Sequence, residues 1–140
     1  MEVVKRKLGL LAEYLKDLKE YERVSYVQYT GSKMLSRYIE RTLHLAIEVC
    51  LDIASHIISI KGFREAKDNK DMFEILTEEG IIPEKLKHPL TEMAKFRNII
   101  VHGYEKIDAA YVVKVLQKDL KDFDAFAESI LELIDKEKRI

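Results

Sequence analysis

The stretch Glu40–Ile58, ERTLHLAIEVCLDIASHII, decides the fold class. Leu43, Ala46, Ile47, Cys50, Ile53, Ala54 and Ile57 follow one another at steps of three and four residues. That is the period of one face of an α-helix and excludes a strand, whose faces alternate every second residue. Leu35 and Ile39 extend the face upstream, so the spacing predicts one long helix that begins after Gly31 and Ser32 and ends near Lys61 and Gly62. Glu48 and Asp52 interrupt its apolar run, which argues against a membrane span.

The same period recurs on either side. Val4, Leu8, Leu11, Leu15 and Leu18 make the apolar stripe of a first helix from about Glu2 to Glu22. The pattern loosens through SYVQYTGS (residues 25–32), which reads as a connection. After the long helix, GFREAKDNKD (residues 62–71) is polar and reads as a loop, and MFEILTEEG (residues 72–80) makes a short helix closed by Gly80 at the C′ position. Pro83 suits a first helical turn, whereas Pro89 disfavours α geometry at His88. A break or kink is therefore expected there, before a helix from about Leu90 to Val101. Asp108 can cap a last helix whose Val112, Val115, Leu116, Leu120, Phe123, Phe126, Ile130 and Ile134 share a face. Short connections between such helices imply an all-α, antiparallel bundle of four to five helices, with residues 1–140 as one domain.

Lys+Arg number 24 against 25 Asp+Glu, a net charge of -1, so no global field draws the chain to nucleic acid and any such contact must be a local patch. The one cysteine, Cys50, lies in an apolar segment and reads as a buried, inert thiol. A single cysteine fits a reducing, cytoplasmic setting, and no export signal is seen at the start of the chain.

RNIIVHGY, Arg97–Tyr104, places four polar groups in the aliphatic end of a helix. Five residues apart, Arg97 and His102 would diverge by roughly 140° on a regular helix, whereas Asn98 and His102 share a face. Gly103 favours an ending there, after which the histidine can converge with the arginine of its own chain or of a symmetry mate. An imidazole can move a proton near neutral pH and a guanidinium can grip phosphate oxygens, which together suit phosphodiester cleavage. Cleavage by a ribose 2′-hydroxyl needs one group to take a proton and another to give one. One His102 per chain therefore argues for a homodimer with the site at its seam. The plainer alternative is that His102 caps the last carbonyls of its helix and Arg97 makes a surface ion pair.

Glu40, His44, Glu48, Asp52 and His56 recur every fourth residue along the long helix. A metal could be imagined there, but a set of ligands must converge from more than one element, so a polar seam is expected and no metal is assigned. Within that seam, Glu48 or Asp52 is a candidate support for Arg97 or His102. Tyr21, Tyr26, Tyr29 and Tyr38 could stack unpaired bases or pack the bundle. No glycine-rich phosphate loop, nucleophile elbow or zinc-spaced cysteine set is present, and no cofactor is called for.

RNIIVHGY resembles the Arg, polar residue, three residues, His, any residue, Tyr signature of HEPN domains, specifically the HepT-like toxins paired with minimal nucleotidyltransferase antitoxins. ERTLHLAIEVCLDIASHII and LQKDLKDFDAFAESI (residues 116–130) are similar to that family's long second and final helices, so the resemblance spans most of the chain. It implies a dimerising helical bundle and a metal-independent endoribonuclease site between protomers, with RNA as substrate. It also implies an antitoxin that adenylylates the motif tyrosine. By position, Arg97 and His102 would be the catalytic pair, Asn98 a polar auxiliary and Tyr104 the modified residue. Some HEPN proteins are non-catalytic interaction modules, and docking to a nucleotidyltransferase or a nucleotide is the alternative expectation.

Overall fold

The computed structural model describes the backbone of residues 1–102 and 107–138, and the side chains of residues 1–100 and 107–138. Among the described residues there is no strand. The elements are α1 (Glu2–Lys19), α2 (Tyr26–Thr30), α3 (Lys33–Lys61), α4 (Asn69–Glu78), α5 (Glu84–His102), α6 (Ala109–Lys114), a π-helical segment (Val115–Asp119) and α7 (Leu120–Lys138). The last three run on without a break as one rod.

Helix α3 is the centre of the bundle, packed by α1, α2, α4 and α5, while α7 closes it against α5 and α1. Its predicted face is buried from Ile39 to Ile57. The helix is long and apolar enough to cross a membrane by composition, yet its apolar face is taken up by the core. Ser32 caps it by accepting from the Leu35 N–H, and Gly62 ends it at φ 68°, a left-handed conformation that costs glycine least. Phe73 of α4 meets Phe126 of α7 edge to face, ring centroids 6.1 Å apart, and both are buried. On α1, Val4, Leu11, Leu15 and Leu18 are buried as the stripe requires, whereas Leu8 is half-buried.

Two expectations are corrected. The segment at residues 25–32 is not a plain connection: Ser25 accepts from the Gln28 N–H while the Gln28 side chain accepts from the Ser25 N–H. This capping box starts the five-residue α2, which seats Tyr29 in the core. Pro89 does not break the chain either; α5 starts at Glu84 and runs through it. The bond that Pro89 cannot donate would end on the carbonyl of Lys85, an exposed residue whose acceptor water can satisfy. Leu86, Leu90, Met93 and Ala94 form a buried stripe that only an unbroken helix supplies. Gly80 does occupy C′, at φ 71° after the α4 C-cap Glu79.

Within the rod, the π segment adds a residue to a turn, and Gln117 in it donates its side-chain amide to the Val24 carbonyl at 2.9 Å, joining the rod to the α1–α2 link. Cys50 is buried and desolvation pushes its thiol pKa upward, so thiolate chemistry is suppressed.

Candidate functional site

Arg97 lies on α5 one residue after the buried Phe96, which fixes that part of the helix against the core and turns Arg97 to the half-buried α3–α5 seam. There its Nε donates to Glu48 Oε1 on α3, and its Nη1 donates to Asn98 Oδ1 at 3.2 Å. The Arg97 and Glu48 side chains are 24% and 29% exposed, sheltered enough for the pair to hold a geometry yet open to an incoming ligand.

The network continues along α3. His44 Nε2 lies 3.3 Å from Glu48 Oε1, and His44 Nδ1 lies 3.3 Å from Arg41 Nη1. Donors and acceptors match when Nε2 carries the ring proton and Nδ1 accepts from Arg41. Glu48 Oε1 then takes two donors and is fixed from both sides. Glu48 thus meets Arg97 as the sequence allowed, and His44 and Arg41 join it in a role not anticipated. The signal was present: Arg41, His44 and Glu48 stand at i, i+3 and i+7, one face of one helix.

Asp52 does not join this group; its Oδ2 faces Lys7 of α1 at 3.3 Å. Glu40 accepts from the Tyr29 hydroxyl at 2.5 Å, and burial, with Glu40 alongside, holds that phenol well above its ordinary pKa. The polar stripe of α3 is thus shared among three neighbours, and among the described residues no group of three or more His, Cys, Asp or Glu is placed to hold a metal. Tyr21 and Tyr38 meet edge to face at 5.8 Å, while Tyr26 is 54% exposed. His102 is the last residue of α5. The position of its imidazole, the ending at Gly103 and the surroundings of Tyr104 lie outside the described residues.

The chain's relatives agree with one another. The family model for "Ribonuclease HepT-like" matches residues 11–130. The mRNA nuclease HepT of Shewanella oneidensis is 34% identical over 114 residues, 78% of this chain and 86% of that protein. The tRNA nuclease HepT of Aphanizomenon flos-aquae is 27% identical over 128 residues, 91% of this chain and 87% of that one. A solved structure of the tri-AMPylated Shewanella oneidensis HEPN toxin in complex with MNT antitoxin superposes with a TM-score of 0.86, 26% identity and coverage of 94% of this chain and 98% of that chain. The match covers the bundle from within α1 to within α7, including the Arg97–Glu48 seam, and on that extent this chain belongs to the HepT-like ribonuclease family of HEPN domains.

Proposed function

We propose that this chain is the toxin of a toxin–antitoxin pair, an endoribonuclease that works as a homodimer with Arg97 and His102 of both protomers around one groove. The observation that carries the reading is the Arg97 guanidinium, held by Glu48 and Asn98 five residues before His102. Its Nη2 has no partner among the described residues and is available to a phosphate oxygen.

In the proposed reaction one His102 takes the proton of a ribose 2′-hydroxyl as that oxygen attacks phosphorus. The bond from phosphorus to the 5′-oxygen breaks, and the His102 of the partner subunit gives that oxygen a proton. Arg97 stabilises the charge that builds on the non-bridging oxygens. The products are a 2′,3′-cyclic phosphate end and a 5′-hydroxyl end, and no metal enters any step. The family relatives named as nucleases support the chemistry, and the toxin solved with its MNT antitoxin supports a minimal nucleotidyltransferase as partner. Adenylylation of Tyr104 by that partner would place an anionic phosphate two residues from His102, where it would occupy the RNA path and pair with Arg97.

The test is total RNA incubated with purified wild-type and His102→Ala protein, with and without chelator, followed by end-group analysis. Cyclic phosphate ends from the wild type alone, unaffected by chelator, are expected. Cutting retained by a clean His102→Ala protein, or lost with chelator, overturns the mechanism. A stable antitoxin complex with no RNA cut would instead identify a non-catalytic docking module.

A further inference from the structure

Resting on the reading of Arg97 as part of an RNA-cutting site, we infer that the exposed face of α3 upstream of that site is a track for single-stranded RNA, with Lys33, Arg37 and Arg41 contacting successive phosphates.

The chain as a whole is nearly neutral, at -1, but residues 23–47 hold four Lys/Arg (Arg23, Lys33, Arg37, Arg41) and one carboxylate, Glu40. Glu40 is turned away to the Tyr29 hydroxyl. Lys33, Arg37 and Arg41 are exposed, and among the described residues none of them makes an ion pair; the side-chain hydrogen bond of Arg41 there is to the His44 ring. Other surface cations of this chain stand one helical turn from carboxylates, paired as Lys5 is with Glu2 and Lys95 with Glu92, or unpaired as Lys16 is between Glu13 and Glu20. Three in a row without a paired carboxylate leave a local positive potential for a polyanion.

Their spacing gives that potential a direction. Steps of four residues advance about 6 Å along a helix and rotate only about 40°, so the three cations stay on one face. That advance is comparable with the separation of successive phosphates on an extended strand. The row ends on the site itself, since Arg41 contacts His44, His44 contacts Glu48 and Glu48 holds Arg97. Lys33 stands about 22 Å up the helix axis from Glu48, a reach of several nucleotides. Tyr38, 43% exposed and packed against Tyr21 with ring centroids 5.8 Å apart, stands beside the row within reach of an unpaired base, and Asp17 of α1 and its C-cap Glu20 near it bound the positive stretch on that side. Backbone grip with tolerant stacking binds single strands with little regard to sequence.

The experiment uses the full chain carrying His102→Ala, so that RNA is bound without being consumed, and a fluorescent single-stranded dodecamer titrated at several salt concentrations. Arg37→Gln with Lys33→Gln is expected to weaken binding about tenfold and to flatten the plot of log affinity against log salt by about 1.4, two phosphate contacts on a single strand. Lys85→Gln, an exposed lysine at the far end of α5, serves as the charge control and is expected to leave the affinity as it was. With His102 restored, the double variant should lose about ten times more kcat/KM on the dodecamer than on a dinucleotide, which is too short to reach the track. Equal losses on both lengths, or an unaltered salt slope, overturn the track while leaving the nuclease reading intact. A wild-type chain that neither binds nor cuts RNA removes both. Met34, beside Lys33 at the start of α3, is 84% exposed, so a double variant that keeps its RNA affinity but loses dimer or antitoxin complex, read by light scattering, overturns the track and gives the face to a protein partner.

Discussion

Glu48 of α3 accepts from the Nε of Arg97 of α5, although 49 residues separate them in the chain. The bond fixes the plane of the guanidinium, whose Nη1 donates to Asn98 and whose Nη2 has no partner among the described residues. Its removal should damage positioning more than folding. Glu48→Ala is expected to lower kcat roughly 10- to 100-fold with a smaller change in KM, because a misaligned group loses most of its effect on a transition state. The stability cost should be about 1–2 kcal/mol, that of one sheltered charge-assisted bond. Loss of the protected Arg97 Nε–H resonance in the NMR spectrum would separate positioning from unfolding; an unchanged kcat would refute the role.

Tyr29 supplies a pH test. Its phenol pKa is raised above the ordinary 10.0 by burial and by Glu40, so the native state favours the protonated form more than the unfolded chain does. That contribution is complete below about pH 10 and is lost as pH climbs through the raised native value. Wild-type protein should lose stability above pH 10 more steeply than Tyr29→Phe, which should cost about 1 kcal/mol at neutral pH. Urea unfolding at pH 7 and at pH 10 to 11 checks both; parallel pH profiles would contradict the assignment.

Asp71 provides the acid counterpart. Arg64 bonds both its oxygens, at 2.7 and 2.9 Å, and the Lys67 N–H adds a third donor, which holds the carboxyl down at about 2 against an ordinary 3.8. Its contribution is present above pH 3.8 and is lost as pH falls toward 2. Asp71→Asn should therefore flatten the acid limb of the stability curve between about pH 4 and 2, followed by circular dichroism. An unchanged limb would mean that the bridge at the α4 entrance adds nothing.

Two glycines should respond to alanine with opposite sign. Gly9 lies inside α1 with open space around its Cβ position, so Gly9→Ala should stabilise by about 0.5–1 kcal/mol through helix propensity. Gly62 is equally uncrowded but sits at φ +68°, so Gly62→Ala should destabilise by about 1 kcal/mol through backbone strain alone. Thermal unfolding of the two variants distinguishes backbone from packing; the same sign in both would contradict it.

The apolar stripes of α1, α3 and α7 were legible because a helix face is a local, periodic property that one sequence window contains. The α2 capping box was equally local, in the serine and glutamine of SYVQ, but the short length hid it behind the loosened apolar pattern. Pro89 misled for the opposite reason. Its rule describes the backbone alone, while the burial of Leu86, Leu90 and Met93 along one stripe decided the outcome.

By itself, the sequence determined an all-helical chain with Arg97, Asn98, His102 and Tyr104 gathered in one short segment, since periodicity and composition need no knowledge of neighbours. Only the tertiary structure decided which carboxylate of the α3 stripe serves Arg97. Glu40, Glu48 and Asp52 share the helix at four-residue steps and are alike by pattern, but α3 is packed by α2, α5 and α1. Each carboxylate therefore meets a different partner: Tyr29, Arg97 and Lys7. Pairing across helices depends on which faces are buried together, and that is a property of the packed bundle rather than of any one segment.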